Sequence, residues 1–199
     1  MKNEVRKPKQ ERSIEKKNKI IEAGYELFSE VGYYGTNTAE IAKKAGVSTG
    51  IVYGYFQDKR DILICVLEIY INKAFDPLFK ALDKLSAPVN YRELITNFVD
   101  LTIKTHKKHA KMHETLHSLA GSDEAVNSQF IALEDSITVK IVDKLSSLGE
   151  KVDNAMEKVH LSMDIIQSFS HEYVFDKHDY IDYFVMKDMV VKTLVELFK

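Results

Sequence analysis

The chain has 199 residues, of which 45% are apolar and 29% are charged, a balance typical of a globular protein with a buried core. Its longest purely apolar run, residues 62–67, is too short to cross a bilayer, and no apolar signal segment follows the basic N-terminus. The single cysteine, Cys65, excludes an internal disulfide and a multi-cysteine zinc site. Because glycine (8) and proline (3) are scarce, the composition favours helices, and we expect an all-α protein of the cytoplasm.

Charge is distributed unevenly along the chain, although the net charge is only −2. Residues 1–60 hold 12 Lys/Arg against 8 Asp/Glu, whereas residues 61–199 hold 16 against 22. A basic front on an acidic body is typical of a protein that presents one end to a polyanion such as DNA. A solvated basic tail without a binding role would give the same imbalance, so charge alone leaves both alternatives open.

Four helices are predicted in the first part of the chain. Apolar residues at helical spacing predict a helix over residues 13–31, which a glycine ends. Asn37, with a glutamate three residues later, forms a capping box that starts a second helix, which ends before Gly46. Ser48 caps a third short helix, and Asp58 caps a long and apolar fourth one.

The rest of the chain predicts further helices, about nine in all. Pro77 is expected to interrupt the fourth helix, either as a kink or as the start of a new helix. Capping and stop signals place the later helices from Asn90 onward, up to Gly121, and over about 123–148, 152–175 and 180–198. The last two carry apolar stripes at helical spacing.

The second and third helices form a tight pair whose turn contains Gly46, the arrangement that places a second helix in the major groove. Five apolar residues are predicted to lock the pair together: Ile41, Ala42, Val47, Val52 and Phe56. Thr49, Gly50 and Tyr53 would point outward. Glycines at 50 and 54 destabilise so short a helix by about 1 kcal/mol each, which indicates another constraint, such as close approach of DNA to the backbone. A helical hairpin that merely packs is the alternative.

Residues 19–63, which include this helix pair, carry a specific set of motifs: G-Y-x-G-T, an Ile-Ala pair, A-G-V-S-x-G, Tyr-x-Tyr-Phe, and a lysine three residues after that phenylalanine. With these motifs, the stretch KIIEAGYELFSEVGYYGTNTAEIAKKAGVSTGIVYGYFQDKRDIL resembles the DNA-binding region of the tetracycline-repressor (TetR) family. The match covers about a quarter of the chain. Beyond residue 65 the resemblance is one of size and helix order.

The resemblance implies roles for individual residues. Base contacts are expected from the third helix and its cap: Ser48, Thr49, Gly50 and Tyr53. Phosphate contacts are expected from the preceding loop and from the helix ends: Thr36, Asn37, Thr38, Tyr55 and Lys59. Gly54 in place of a large side chain and Ala39 in place of a basic one each remove a possible contact. One hypothesis is that the basic arm compensates through Arg6, Lys7, Lys9 and Arg12; a disordered tail is the alternative.

The predicted organisation has three parts: a basic arm (1–12), a helix-turn-helix DNA-binding domain (13–58) and a larger helical ligand-binding and dimerisation domain (59–199). Two copies of the motif are needed to occupy successive grooves, which implies a homodimer, formed through the last two helices. The resemblance also implies a pocket for a small-molecule effector that lowers DNA affinity. Candidate lining residues are Phe98, Leu101, Met112, Leu116, Phe130, Leu133, Met163 and Phe169. The effector would be a drug, a fatty-acyl species or another hydrophobic molecule, and no cofactor is expected.

Four histidines, His106, His109, His113 and His117, follow at steps of three, four and four, so on one helix they would share a face. Steps of four can chelate a transition metal, and such a face can also respond to pH. A solvent-exposed polar stripe is the favoured interpretation, because nearby lysines would oppose a bound cation. No metal site is predicted.

Catalytic motifs are missing from the sequence: it has no Gly-rich phosphate loop, nucleophile elbow or HExxH. The prediction is therefore a DNA-binding transcriptional regulator and not an enzyme. In its finer form it is a repressor that binds a palindromic operator as a homodimer and is released by a ligand. The alternative is a helical small-molecule-binding protein or enzyme without DNA-binding activity, and an activator or a regulator without an effector is a third possibility.

Overall fold

The computed structural model describes residues 11–199 and confirms the predicted all-α class. Within this range nine helices follow one another without a strand: α1 (Glu11–Val31), α2 (Thr38–Lys44), α3 (Thr49–Tyr55), α4 (Lys59–Asp83), α5 (Tyr91–Lys108), α6 (Ala110–Ala120), α7 (Glu124–Ser147), α8 (Ala155–Phe175) and α9 (Tyr183–Leu197). Helices α1 to α3 form the predicted helix-turn-helix segment.

Local hydrogen bonds explain where the two short helices begin. The side chain of Asn37 accepts from the Glu40 amide at 3.0 Å, and the Glu40 carboxylate accepts from the Asn37 amide at 2.9 Å, which completes the predicted capping box. Ser48 caps α3 by accepting from the Ile51 amide at 3.4 Å. Between the two helices Gly46 has a φ of 67°, a left-handed conformation that glycine adopts without strain and that ends α2.

Helix α4 runs from Lys59 to Asp83 with Pro77 inside it, so the chain does not start a new helix at this proline. Proline fixes φ near the helical value, although it removes the hydrogen bond that residue 77 would donate to the carbonyl of Lys73. Buried apolar residues hold the helix on both sides of this position: Ile62, Leu63, Val66, Leu67, Tyr70, Ala74 and Leu82. Packing therefore outweighs the loss of one backbone hydrogen bond.

By their packing, the described residues form two compact units. The first comprises residues 11–73 together with His109–Gln129, and so contains α1 to α3, α4 as far as Lys73, α6 and the start of α7. Helix α1 packs on α2, α3 and α6. Gly24 of α1 is required by close packing, because a Cβ there would approach Ile62 Cγ2 to 2.8 Å. The predicted helix-turn-helix segment and α6 therefore belong to the same compact unit, in which α1 packs against α6.

The second unit comprises Ala74–Lys108 and Phe130–Lys199, in which α5, α8 and α9 pack on one another. Helices α5 and α8 run in the same direction: residues near their starts line a common cavity, and near their ends the ring centres of His106 and Phe175 are 6.3 Å apart. None of the described helices combines the length and apolar character that a bilayer crossing requires.

Apolar residues of the last two helices divide into a buried and an exposed set. Residues of the buried set form part of the core of the second unit: Val159, Ile166, Phe169, Val191 and Leu194. Residues of the exposed set face solvent and are called here the α8–α9 surface: Met156, Leu161, Phe184, Val185 and Met189. Phe184 is 85% exposed and Met189 is 61% exposed. The apolar residues of these two helices therefore lie partly in the core and partly on the surface.

Candidate nucleic-acid interface

Helices α2 and α3 pack through the apolar residues that the sequence predicts for this role. Four of them are almost completely buried: Ile41, Ala42, Val52 and Phe56. Val47, in the turn, is half-buried. The predicted locking of the helix-turn-helix pair is confirmed, and the outer face of α3 faces solvent.

The outer face of α3 carries the residues that are expected to contact bases. Ser48, Thr49, Gly50 and Tyr53 are all exposed. Tyr53 has 54% of its surface exposed, and its hydroxyl lies 3.2 Å from Thr38 Oγ1 on α2. This hydrogen bond joins the two helices at the surface and fixes the position of the phenol ring.

Gly50 and Gly54 lie in α3 at positions where the protein itself has room for a side chain. A Cβ at residue 50 would have Ser48 Oγ as its nearest neighbour, at 3.9 Å, and a Cβ at residue 54 would meet nothing within 4 Å. Neither glycine has a positive φ. Unlike Gly24, then, these two glycines are not required by contacts among the described residues, and they leave the backbone of α3 bare on its exposed side.

Thr36 differs from the other predicted phosphate contacts in being buried. It is only 3% exposed, and its hydroxyl donates to the carbonyl of Gly32 at 2.9 Å. The side chain thus holds the loop between α1 and α2, and its contact with phosphate stays a prediction. Asn37 is exposed next to it, with its side chain engaged in the cap of α2.

Lys59 has hydrogen bonds that the sequence does not indicate. Its ammonium donates to the carbonyls of Tyr33 and Thr36 at 2.6 and 2.7 Å, and it lies 4.1 Å from the centre of the Tyr33 ring. Burial lowers the pKa of this ammonium. Lys59 thus fastens the start of α4 to the loop that precedes α2, and its contact with phosphate stays a prediction.

Of the remaining described positions considered for DNA contact, one is hydrogen-bonded within the protein and the others are exposed. The Tyr55 hydroxyl lies 2.8 Å from Ser13 Oγ, which links α3 to α1. Ala39 and Gly54 are exposed, so larger side chains at these positions would reach solvent. Of the predicted basic arm, Arg12 is exposed at the start of α1, whereas Arg6, Lys7 and Lys9 lie outside the described residues.

Arg60 and Asp123 form an ion pair that the sequence analysis missed. Arg60 Nε and Nη2 lie 2.5 and 2.8 Å from the two carboxylate oxygens. The same carboxylate caps α7 by accepting from the amides of Ala125 and Val126 at 3.1 and 3.3 Å. The hydrogen bond from Arg60, helped by these amides, lowers the pKa of Asp123 to about 2. Because 63 positions separate the partners, no local pattern could have indicated this link between α4 and α7.

An apolar cavity of about 40 Å³ lies in the second unit. Its lining residues are Tyr91, Leu94, Ile95, Phe98, Ile141, Leu145, Val159, Ser162, Met163, Ile166 and Phe198. This volume is far below the roughly 300 Å³ of a typical ligand pocket. A ligand of ordinary size would therefore need the lining residues to move.

Two of the eight predicted pocket residues, Phe98 and Met163, lie on the wall of this cavity. Met112 and Leu116 are fully buried in α6, within the first unit. The other four belong to the second unit but do not line the cavity: Leu101, Phe130, Leu133 and Phe169. Helical spacing identified apolar positions, but it could not indicate which of them line this cavity.

The four histidines do not share one helix face, which corrects the sequence analysis. Helix α5 ends at Lys108, and His109 has the non-helical angles φ −115° and ψ 28° before α6 begins. His106 and His109 are only 4% and 8% exposed, so they are not part of a solvated stripe. Aromatic neighbours explain their burial, because His109 packs edge-on against Tyr70 and His106 lies near Phe175.

Comparison with known proteins connects this site to a family. Residues 20–66 match the model of the tetR family of bacterial regulatory proteins. The HTH-type transcriptional regulator HbdR of Aromatoleum sp. strain CIB is 41% identical over 75 residues, which cover 38% of this chain and 33% of HbdR. The uncharacterized HTH-type transcriptional regulator YuxN of Bacillus subtilis is 30% identical over 140 residues, 70% of this chain and 48% of YuxN. The chain thus spans about a third and about a half of these curated relatives.

The similarity of fold extends over nearly the whole chain. The transcriptional regulator FadR from Bacillus subtilis, solved in complex with stearoyl-CoA, has a TM-score of 0.63 at 19% identity, and the match covers 92% of this chain and 99% of FadR. HbdR and YuxN are both named as transcriptional regulators, in agreement with the predicted class of protein. The chain belongs to the tetR family of bacterial regulatory proteins.

Proposed function

We propose that this protein is a transcriptional repressor that binds a palindromic operator as a homodimer and leaves it when a small molecule binds the second unit. Family membership supports a DNA-binding regulator. The observation that carries the DNA contact is the bare, exposed backbone of α3 at Gly50 and Gly54. A helix without side chains on one side can approach the floor and walls of the major groove closely.

The side chains around the two glycines supply the polar groups for recognition. Ser48, Thr49 and Tyr53 each carry a hydroxyl that donates or accepts, as base edges and phosphates require. Tyr53 adds a flat apolar ring, held in place by its hydrogen bond to Thr38. The face therefore combines close approach, hydrogen bonding and a fixed aromatic ring within one short helix.

Substituting the two glycines with alanine tests the proposal, because folding and DNA binding should change in opposite directions. Gly50→Ala and Gly54→Ala should each raise the free energy of unfolding by up to about 1 kcal/mol, since alanine is the better helix former. The same changes should weaken operator binding about tenfold or more, because each new methyl group faces the DNA. Gly121→Ala is the matched control: a Cβ there also meets nothing within 4 Å, but it lies at the end of α6.

Binding would be measured by fluorescence anisotropy against duplexes that tile the DNA upstream of the protein's own gene, at two salt concentrations. We expect one tile to bind more tightly than its neighbours, and the Gly121→Ala variant to bind that tile like the wild type. If Gly50→Ala and Gly54→Ala also bound like the wild type, α3 would not be the contact helix. Absence of binding to every tile at both salts would favour the alternative of a helical ligand-binding protein without DNA activity.

The homodimer is supported by the α8–α9 surface. Large apolar side chains seldom cluster in solvent on a monomer, and such a patch is typical of an association site. On α9, Val185 and Met189 are four positions apart and lie on one helix face, and Phe184 precedes Val185 directly. A second copy, related by a two-fold axis, would cover this face with the same residues and place two copies of α3 for the two halves of a palindrome.

A hydrophobic effector is supported by the cavity in the second unit. Its wall is apolar except for two hydroxyl groups, and Ser162 donates its hydroxyl to the carbonyl of Lys158 at 2.7 Å. FadR, which shares the fold, was solved with stearoyl-CoA. We infer that the effector carries an apolar portion that enlarges this cavity, and that the protein releases DNA because the enlarged form binds the operator less well.

A further inference from the structure

Two histidines that are distant in sequence meet near the ends of α5 and α8. His106 lies in the last turn of α5, and His171 lies in the last part of α8. Because the two helices run in the same direction within the second unit, both rings come to the same end of the pair, beside Phe175. Their separation in the sequence gives no indication of this proximity.

The separation of the two rings suits a shared metal ion. A ring nitrogen of His106 and one of His171 lie within 4.8 Å of each other. Two imidazoles bound to one tetrahedral ion at about 2.0–2.1 Å hold their nitrogens roughly 3.4 Å apart. The upper limit on the observed separation is therefore close to the distance that one shared ion requires.

Each histidine also has the second contact that a metal ligand typically has. His106 Nδ1 lies 2.9 Å from the carbonyl of Thr102, so this nitrogen carries the hydrogen and Nε2 carries the lone pair. His171 Nε2 lies 3.3 Å from the Asp176 carboxylate. Carbonyl and carboxylate partners of this kind orient a ligating ring and make it more basic. The two partners therefore prepare the pair for a cation.

The charges near the pair do not prevent cation binding. Lys107, next to His106, has its ammonium over the ring of Tyr173 at 5.1 Å, and Lys177 lies over the same ring at 4.0 Å. Both ammonium groups are thus directed to an aromatic face. Asp176 adds a negative charge beside His171, and its side chain is 66% exposed, which gives an ion a path from solvent.

We propose that His106 and His171, supported by Asp176, bind a divalent transition-metal ion such as Zn²⁺ or Ni²⁺. Imidazole nitrogen is a preferred ligand of these ions, and water would complete the coordination. A bound ion would connect α5 to α8 inside the unit assigned to the effector. The proposal stands independently of DNA binding, since it concerns ligands within the second unit.

The test is metal titration of the full-length protein without a histidine tag. Zn²⁺ binding would be measured by calorimetry, and Co²⁺ would serve as a spectroscopic probe through its visible absorption. We expect one ion per chain. His106→Gln and His171→Gln should each weaken binding by about a hundredfold, and Asp176→Asn by about tenfold, as is usual for a group that orients a ligand. His160→Gln and His178→Gln, two exposed histidines of the same unit, are the matched controls and should bind like the wild type.

Thermal melting separates metal binding from simple packing. Zn²⁺ should raise the melting temperature of the wild type and of the two control variants but not of His171→Gln, which retains the fold because its side chain is partly exposed. If His106→Gln fails to fold, His171→Gln and Asp176→Asn still decide the question. Equal affinity of these two variants and the wild type, or no binding to the wild type, would overturn the proposal.

Discussion

The outer face of α3 and the α8–α9 surface are both exposed, but their chemistry differs. On α3 the exposed groups are a bare backbone, two small hydroxyl side chains and one tyrosine. On α8 and α9 they are large apolar side chains, with Phe184 85% exposed. The first face suits a hydrated polyanion, whereas the second is stabilised only when a similar apolar surface excludes water from it. The chemistry of an exposed residue, more than its exposure, thus indicates its partner.

The largest effect is expected from Phe184→Asp. A carboxylate within the α8–α9 surface should prevent association, because a charge would be buried against apolar side chains. The monomer should keep its fold, since Phe184 contributes little to the core. Operator affinity should fall by about 10² to 10⁴, the gain that linking two binding modules provides. Sedimentation velocity and anisotropy would measure the two changes.

Ile131→Asp is the control for this change, because Ile131 is also exposed and apolar but lies on α7. We expect it to leave both the mass and the operator affinity unchanged. A Phe184→Asp variant with the mass of the wild type would show that the α8–α9 surface is not the interface, and the contrast between the two faces would then need another explanation.

Tyr53→Ala should weaken specific binding by about 1–3 kcal/mol without lowering stability, because the ring is exposed and expected to contact bases. Tyr53→Phe separates the ring from the hydroxyl that bonds to Thr38. Anisotropy against the operator and an unrelated duplex measures the specific part. Equal affinity of the alanine variant and the wild type for the operator would remove Tyr53 from the recognition face.

Lys59→Ala should lower the free energy of unfolding by about 2 kcal/mol, because two backbone carbonyls lose a charged donor. Chemical denaturation would measure the loss. Lys43→Ala, which removes an exposed charge from α2, should leave stability unchanged. If Lys59 also contacts phosphate, as the family resemblance implies, its removal lowers the salt slope of binding by about one. Unchanged stability would contradict the role assigned to its two hydrogen bonds.

The smallest effect is expected from Asp123→Asn, which removes the charge and retains a side chain able to cap α7. The folded protein lowers the pKa of Asp123 from 3.8 to about 2, so the carboxylate stabilises the fold above pH 3.8 and loses this contribution as pH falls toward 2. The wild type should therefore melt at a higher temperature than the variant near pH 6, and the difference should shrink between pH 4 and 2. Calorimetry across this range checks it, and a constant difference would exclude the ion pair as its source.

Local signals predicted helices in both units but not which distant residues contact one another. Asn37 and Ser48 bond to amides three residues away, so the starts of α2 and α3 could be located from the sequence alone. Gly50 and Gly54 were notable because glycine is unfavourable in a helix. The carbonyls that Lys59 bonds, by contrast, are 26 and 23 positions away. No spacing rule connects such partners.

The second unit shows the same limit for apolar residues. Helical spacing predicted that Phe98 and Met163 face inward, and both line the cavity. The same spacing predicted that Phe169 lines the pocket, whereas Phe169 is buried in the core and does not line the cavity. The spacing also could not show that His109 interrupts the helix, because His109 lacks the usual signals of a helix end. Periodicity reports which side of a helix is buried, whereas a cavity depends on several helices together.

Pro77 has a consequence for how α4 opens. Without an amide hydrogen at residue 77, the carbonyl of Lys73 lacks its usual partner four residues on. Lys73 is also the last residue of α4 in the first compact unit. We therefore expect the backbone hydrogen bonds of α4 to form two cooperative segments within one continuous helix, with the amides on either side of this point exchanging with solvent in separate opening events.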